Sequence, residues 1–348
     1  MLIPGTPAPN FVGRTTSVPA MPLHLAAGRV VALSLFGSAA APGVAELLRE
    51  VQLRREVFDG RIAFCGVSTD PRDEQSGRLR DEPGIRFVWD TDAAITRLYE
   101  AEGAPRTVVI DERLRVVAVL PLEGSPREHL ARVVDVASSL LTAAKEQQAS
   151  MHAPVLVVPR VFEPELCTAL IELHRRTGGF DSGFMRQAGS STRQVLDHEH
   201  KRRRDVVIED ERLLADCFVR LRDRLAPEIA KAFQFRATHV ERYLVACYDA
   251  ATGDHFKPHR DNTTGVTRHR RFAVSLLLNT GEFEGGQLRF PEFGPHLHGA
   301  PAGAALVFSC SLLHEVLPVT RGRRYAFLPF LHDEAAERLK PAVADPGT

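Results

Sequence analysis

The chain has 348 residues, more than one domain usually holds, so two domains are the first expectation. Its 44 Lys and Arg balance 44 Asp and Glu, which argues against a protein that coats DNA or an anionic membrane. Five scattered cysteines without a CxxC pair argue against a disulfide scaffold or a cysteine-type zinc site and for a reducing compartment. The longest apolar run, 30–45, is broken by Gly37, Pro42 and Gly43 and reads as neither a leader peptide nor a membrane span, so a cytoplasmic protein without a membrane partner is expected.

Residues 30–35 form an apolar run of strand length, and Val44, Leu47, Leu48, Val51 and Val57 recur at helical spacing, with Glu50 and Arg54 as an i,i+4 pair. A strand at 62–67 ends in Ser68, Thr69, Asp70 and Pro71, which cap the next helix. Strands at 86–89 and 107–110 flank a helix at 93–99; a strand at 115–120 and an amphipathic helix at 126–141 follow. This alternation predicts parallel crossovers and a three-layer α/β sandwich. The polar stretch 145–150 is the expected linker. Beyond it come a strand at 155–158, a capped helix at 163–176, a polar stretch at 177–204 holding loops and short strands, and one long amphipathic helix at 210–233. Short strands at 243–248, 272–278, 287–290, 304–308 and 324–331 then predict a β-sandwich or jelly roll with helices on one face.

His259-Arg260-Asp261 is the only His-x-Asp triplet, and residues i and i+2 of an extended segment face the same side. His314, 53 residues after Asp261, offers a third ligand. Two imidazoles and a carboxylate occupy one face of an iron(II) ion and leave the other positions open. On spacing alone, a solvated His-Asp loop and an unrelated buried histidine stay open as the alternative. Arg324, ten residues after His314, lies inside an apolar strand, where a guanidinium must be paired; a bound dicarboxylate such as 2-oxoglutarate would satisfy it. Tyr248, eleven residues before His259, is placed to donate a further hydrogen bond into the same cleft.

The segments YLVACYDAATGDHFKPHRDN (243–262), LLLNTGEFEGGQLRFPE (276–292) and LLHEVLPVTRGRRYAF (312–327) resemble the iron(II)- and 2-oxoglutarate-dependent dioxygenases, in the prolyl 4-hydroxylase-like branch. The resemblance implies a double-stranded β-helix, with His259, Asp261 and His314 on iron, and Arg324 and Tyr248 on 2-oxoglutarate. No catalytic residue beyond the metal centre is implied. The reaction implied is hydroxylation of a substrate with O2, 2-oxoglutarate being decarboxylated to succinate and ascorbate serving as a candidate reductant. Two departures stand out: two extra residues separate Tyr248 from Gly253, and Leu277 stands where some members carry a tyrosine that touches 2-oxoglutarate. The nucleic-acid demethylating oxygenases resemble one another in a second arginine six residues after the first; Phe330 stands there, which disfavours that subclass and a nucleic-acid partner.

The basic runs 201–204 and 268–271 read as solvated loops balanced by acids such as Asp197, Glu199 and Asp205, although the second run is also placed to rim the site and read an acidic substrate. The cluster Asp197, His198, Glu199, His200 lacks a strand frame and reads as a surface loop.

In the N-terminal part, LSLFGSAAAPGVAELLREV (33–51), GVSTDP (66–71) and YEAEGAPRTVVIDERLRVVAVLPL (99–122) resemble the peroxiredoxin branch (AhpC/TSA) of thioredoxin-like folds, and Pro105 matches a position where that fold often has a cis proline. Peroxidase chemistry needs a thiolate at the start of the first long helix, yet residues 40–44 contain no cysteine, and Cys65 lies in an apolar strand. The expected architecture is therefore an α/β thioredoxin-like domain without peroxidase chemistry (1–145), a linker (146–152) and an α+β double-stranded β-helix, or jelly roll, with the oxygenase site (153–335). The substrate is a small molecule or a peptide, and a homodimer stays open. Two readings of other classes compete with this one: a non-catalytic iron or dicarboxylate sensor, and a thiol-redox protein acting through the N-terminal domain.

Overall fold

Every residue of Val30–Phe36 is buried, because this strand lies at the centre of a sheet covered on both faces. The computed structural model describes residues 2–58, 60–141, 152–188 and 191–340. The chain divides into two units, Met1–Glu146 and Gln147–Thr348. Apart from residue 152, the expected linker lies outside the described residues.

The first unit runs β1 (Val12–Thr15), β2 (Met21–Pro22), β3 (Val30–Phe36), α1 (Pro42–Leu53), β4 (Ile62–Ser68), α2 (Pro71–Gln75), β5 (Ile85–Trp89), α3 (Ala94–Leu98), β6 (Arg106–Ile110), β7 (Val116–Pro121) and α4 (Pro126–Ser139). Its sheet has the order β2-β1-β5-β4-β3-β6-β7. Alternate residues of β3 feed two cores. Val30 and Ala32 pack with Val44, Leu47, Leu130 and Val133 of α1 and α4, while Val31, Leu33 and Leu35 pack with Ile95, Tyr99 and Phe11. Asp70 caps α2 by accepting from the Arg72 amide.

The expectation of parallel crossovers throughout needs correction. β3, β4 and β5 are parallel, but β6 is antiparallel to β3. A parallel return must retrace a strand of seven residues, roughly 23 Å, and the five-residue α3 covers only about 7.5 Å. The chain therefore re-enters the sheet from the end at which β5 left it. β1 and β2 are too short to show a period in sequence. Among the described residues no peptide bond is cis, so Pro105 is trans, the form favoured by about 0.5–1 kcal/mol for X–Pro.

The second unit runs β8 (Leu156–Val158), α5 (Pro164–Thr177), β9 (Phe180–Asp181), β10 (Phe184–Ala188), β11 (Ser191–Val195), β12 (Lys201–Arg202), β13 (Arg204–Val207), α6 (Glu211–Arg220), a π-helical turn (Leu221–Leu225) and α7 (Ala226–Phe233). Then follow β14 (His239–Glu241), β15 (Leu244–Asp249), β16 (His255–His259), β17 (Phe272–Leu277), β18 (Glu284–Gly285), β19 (Leu288–Arg289), β20 (Leu297–His298), β21 (Ala305–Ser309), β22 (His314–Val316), β23 (Val319–Arg321), β24 (Arg323–Phe327), β25 (Phe330–His332) and α8 (Glu334–Glu337). The expected single helix at 210–233 is interrupted. Pro227 has no N–H to give to Asp223 and its ring crowds that carbonyl, so the preceding turn widens. The expected strand at 324–331 is likewise two strands, with Leu328-Pro329 between them.

The large antiparallel sheet has the order β14-β25-β17-β24-β15-β13-β9, with β21 pairing β17 and β8; a smaller sheet has the order β12-β16-β22-β19-β20. Cys167, Leu170, Cys217, Leu225 and Ile229 cover one face of the large sheet. Ala246 and Tyr248 of β15 and Leu306 and Phe308 of β21 meet Phe256, Leu288 and Val316 of the smaller sheet on the other. No helix among the described residues is long and apolar enough to cross a membrane.

Candidate metal and dicarboxylate site

β16 ends at His259 and β22 begins at His314; the antiparallel register sets these two residues directly opposite one another. Asp261 follows two residues later, its amide held by the Cys310 carbonyl at 3.0 Å. Asp261 Oδ1 lies 3.7 Å from His259 Nε2, and Oδ2 lies 3.4 Å from His314 Nε2. Each imidazole donates its Nδ1–H to a backbone carbonyl, His259 to Lys257 (2.8 Å) and His314 to Leu312 (3.0 Å). That fixes the tautomer with both Nε2 lone pairs facing the carboxylate. Burial, helped by the neighbouring His314, pushes the His259 pKa down to about 3, so the ring stays neutral, as a metal ligand must be. Burial alone would raise the Asp261 pKa, but His314, His259, Arg270 and Arg242 outweigh it and hold the carboxyl below its ordinary value. Two imidazoles and one carboxylate, with ligand atoms all within 4.8 Å of one another, fit a divalent first-row metal.

Arg324 of β24 is 1% exposed beside this triad. Its Nη2 bonds Ser275 Oγ at 3.0 Å; its Nη1 is buried without a hydrogen-bond partner among the described residues. The Tyr248 ring stands under the guanidinium at 5.1 Å. Gly286 makes this placement sterically feasible: at φ +68° an added Cβ would stand 2.7 Å from Arg324 Cδ and 2.9 Å from Val319 Cγ2. An orphaned buried guanidinium nitrogen in a cavity of about 140 Å³, shared with the His-Asp-His triad, fits the far carboxylate of a small dicarboxylate. Tyr248 also lines this cavity, but its hydroxyl accepts from Arg203 Nη1 at 3.2 Å.

The run at 201–204 is not a solvated loop, contrary to expectation. Lys201, Arg203 and Asp205 are 5%, 4% and 2% exposed, whereas Arg204 is exposed. They lie at alternate positions, so the period of two sends 201, 203 and 205 inward. The sequence there, KRRRD, is charged at every position, so nothing in it separates the inward residues from the outward ones. Arg203 pairs with Asp205 at 2.6 Å, and Lys201, whose pKa burial and the neighbouring Arg203 push down to about 6, donates from Nζ to the Gly183 carbonyl at 2.6 Å. Of the second run, Arg270 lines the cavity, paired with Glu241 (Nε to Oε2, 2.8 Å), which also binds His269 at 2.7 Å. Arg268 and Arg271 bond backbone carbonyls instead. Arg242 and Ser275 also line the cavity, and nothing in the sequence reading marked them. Leu277 is buried in the core between the sheets rather than among the residues lining the cavity.

Residues 197–200 form a turn in which His198, in contact with Asp181, and Glu199 are exposed, whereas Asp197 and His200 are half-buried, His200 with its ring 4.4 Å from that of Phe184. A second set of close ligand-type groups, His239, His332 and Glu337, ties α8 to the sheet: Glu337 bonds His332 and is paired with Lys340 at 2.8 Å.

Residues 243–332 match the model of the 2OG-Fe(II) oxygenase superfamily, so the C-terminal region carries a 2OG-Fe(II) oxygenase domain. A PKHD-type hydroxylase of Synechococcus sp. (strain JA-2-3B'a(2-13)) is 34% identical over 93 residues, 25% of this chain and 41% of the relative. Another PKHD-type hydroxylase, from Azoarcus sp. (strain BH72), is 34% identical over 106 residues, 28% of this chain and 47% of the relative. The chain thus spans less than half the length of these curated relatives. Among solved structures, a Pseudomonas putida prolyl-4-hydroxylase is similar over 52% of this chain and 94% of its own, with 22% identity and a TM-score of 0.41. The Mycobacterium tuberculosis peroxidoxin BcpB is similar over 41% of this chain and 100% of its own, with 18% identity and a TM-score of 0.34.

Proposed function

We propose that the second unit is an Fe(II)- and 2-oxoglutarate-dependent oxygenase that hydroxylates a C–H bond of a small molecule or peptide, in a double-stranded β-helix of prolyl-hydroxylase type. The observation that carries this reading is the coincidence, in one cavity, of the His259-Asp261-His314 triad with the orphaned Nη1 of Arg324. A pure iron sensor has no use for the second feature, and a pure dicarboxylate receptor has no use for the first.

When bound, iron with 2-oxoglutarate and O2 supplies the oxidation, one oxygen atom entering the substrate as hydroxyl and the other leaving in succinate, with CO2 released. The chain's own residues do the rest. His259, Asp261 and His314 hold the metal from one side and leave the other side free. Arg324, steadied by Ser275, takes the far carboxylate of the co-substrate and fixes its direction. Phe256, stacked on His259, and Phe308, edge-on to His314, wall the ligand rings from bulk water.

The test is an anaerobic titration of Fe(II), then 2-oxoglutarate, into the full chain, following the charge-transfer absorption of the chelate. A band is expected in the native chain, absent in His259→Ala and Asp261→Ala, and at least tenfold weaker in apparent affinity in Arg324→Ala. No band in a native chain that is folded by circular dichroism would sink the reading.

A further inference from the structure

Arg324 accounts for one anion in the cavity, yet the cavity holds further basic side chains. Lys201, Arg203, Arg242 and Arg270 all line it. Two of the four are neutralised: Arg203 by Asp205 and Arg270 by Glu241. Lys201 is satisfied by a carbonyl. The Arg242 side chain has no hydrogen-bond partner among the described residues; its Nε is buried and unbonded, and its guanidinium carbon stands 4.3 Å over the face of Phe330. Arg270 stands over the same ring at 4.0 Å. Two guanidiniums on one aromatic ring, one of them with no ion pair among the described residues and only longer-range attraction from Asp205 and Asp261, make a costly arrangement. It becomes favourable when an anion enters between them and the metal triad.

The position of Arg242 separates it from the co-substrate anchor. Ser275, the partner of Arg324, and Ala273, which pairs with Phe330 in the sheet, are two residues apart on β17, roughly 7 Å. The Phe330 end of β17 is the end nearer the triad, because Arg270 Nη1 also reaches the Asp261 carbonyl at 3.4 Å. Resting on the oxygenase reading above, we infer that the substrate carries a carboxylate and that Arg242, braced on Phe330 beside the Arg270–Glu241 pair, binds it next to the metal triad. The planar guanidinium of Arg242 offers paired N–H donors that match the two oxygens of a carboxylate. Arg242 is on this account a specificity-determining residue, and substrates lacking the acid are rejected.

The experiment uses the full chain, saturated anaerobically with Fe(II) and 2-oxoglutarate and held at constant ionic strength with chloride. Acetate, inorganic phosphate and acetamide are titrated separately, reading both thermal stability and the position of the charge-transfer band. Acetate is expected to raise the melting temperature and perturb the band with a millimolar midpoint, and acetamide to do neither. Arg242→Met should weaken the acetate response at least tenfold while retaining the 2-oxoglutarate band, and Arg242→Lys, which keeps the charge without the fork, should fall between the two. The inference is overturned if acetamide matches acetate, if phosphate binds more tightly than acetate, or if Arg242→Met keeps the native acetate response. It is equally overturned if Arg242→Met abolishes the 2-oxoglutarate band, which would make Arg242 a co-substrate anchor. Failure of the native chain to show the band at all strikes the oxygenase reading instead, and is scored separately.

Discussion

Arg324 was legible in the sequence as an arginine that must be paired; what the sequence did not show is how the space for it is made. Its side chain runs over Gly286, a residue at φ +68° whose missing Cβ would stand 2.7 Å from Arg324 Cδ. The second glycine of the Gly-Gly pair therefore serves the anchor directly, and also relieves the backbone, since a left-handed conformation costs a residue with a Cβ about 1 kcal/mol. Gly286→Ala is accordingly expected to lower stability modestly and to displace Arg324, weakening 2-oxoglutarate about tenfold, which is about 1.4 kcal/mol. Iron binding through the triad should be unaffected. Parallel titrations of Fe(II) and 2-oxoglutarate check it; an unchanged 2-oxoglutarate affinity would overturn the claim that Gly286 makes the room the anchor needs. The same scale explains why Arg242 escaped notice. It lies between two short strands at φ +51°, outside any periodic segment, and only its missing partner marks it.

Among the elements, long and strongly periodic segments were readable, and the failures have local causes. α1, α4, α5 and β3 follow from apolar spacing, whereas the π turn at Leu221–Leu225 follows from one proline in a sequence whose helical period never breaks. The widened turn has a structural use. Glu163, at the start of α5, has no side-chain bond to its own helix and instead reaches Arg220 at the end of α6 and Arg224 in the turn, each at 2.9 Å. Arg224 also bonds the Val161 carbonyl at 2.9 Å. Burial would raise the Glu163 pKa, but the hydrogen bonds from the two arginines outweigh it and depress the pKa to about 2, from an ordinary value of 4.5. A carboxyl depressed on folding stabilises the fold fully above its unfolded pKa and loses that contribution as pH falls through the folded value. Glu163→Gln should therefore destabilise the second unit at neutral pH by about 1 kcal/mol, a figure reduced for the solvent exposure of the pair. The deficit should vanish between pH 4.5 and about 2, where the native carboxylate protonates as well. Denaturant midpoints measured at pH 7 and pH 3 decide this: a deficit that persists or grows in acid would mean that the charge is not what joins α5 to the turn.

At the scale of the whole molecule, two places in the first unit bear on whether it could act through a thiol. The turn before α1 is where a thiolate would draw on backbone N–H groups and the helix field. Here the buried carboxylate of Asp73 already takes the Ala39 amide at 2.7 Å and the Ser68 hydroxyl at 2.7 Å, and it pairs with Arg78 at 2.8 Å. A thiolate placed there would meet a negative charge rather than a vacant donor. The one cysteine of the unit, Cys65 on β4, is 6% exposed, and burial pushes its thiol up to about 12, so at neutral pH the nucleophilic form is negligible. The other four cysteines are also buried. A pure scaffold role for the first unit therefore predicts that the full chain, with dithiothreitol as reductant and without added iron, consumes hydrogen peroxide no faster than buffer. It also predicts that a sulfenic-acid trap labels Cys65 only after unfolding. Thiol-dependent turnover that disappears in Cys65→Ser would overturn this assignment. It would mean that β4 opens often enough to expose a sulfur buried in the static structure, and that the first unit contributes redox chemistry of its own.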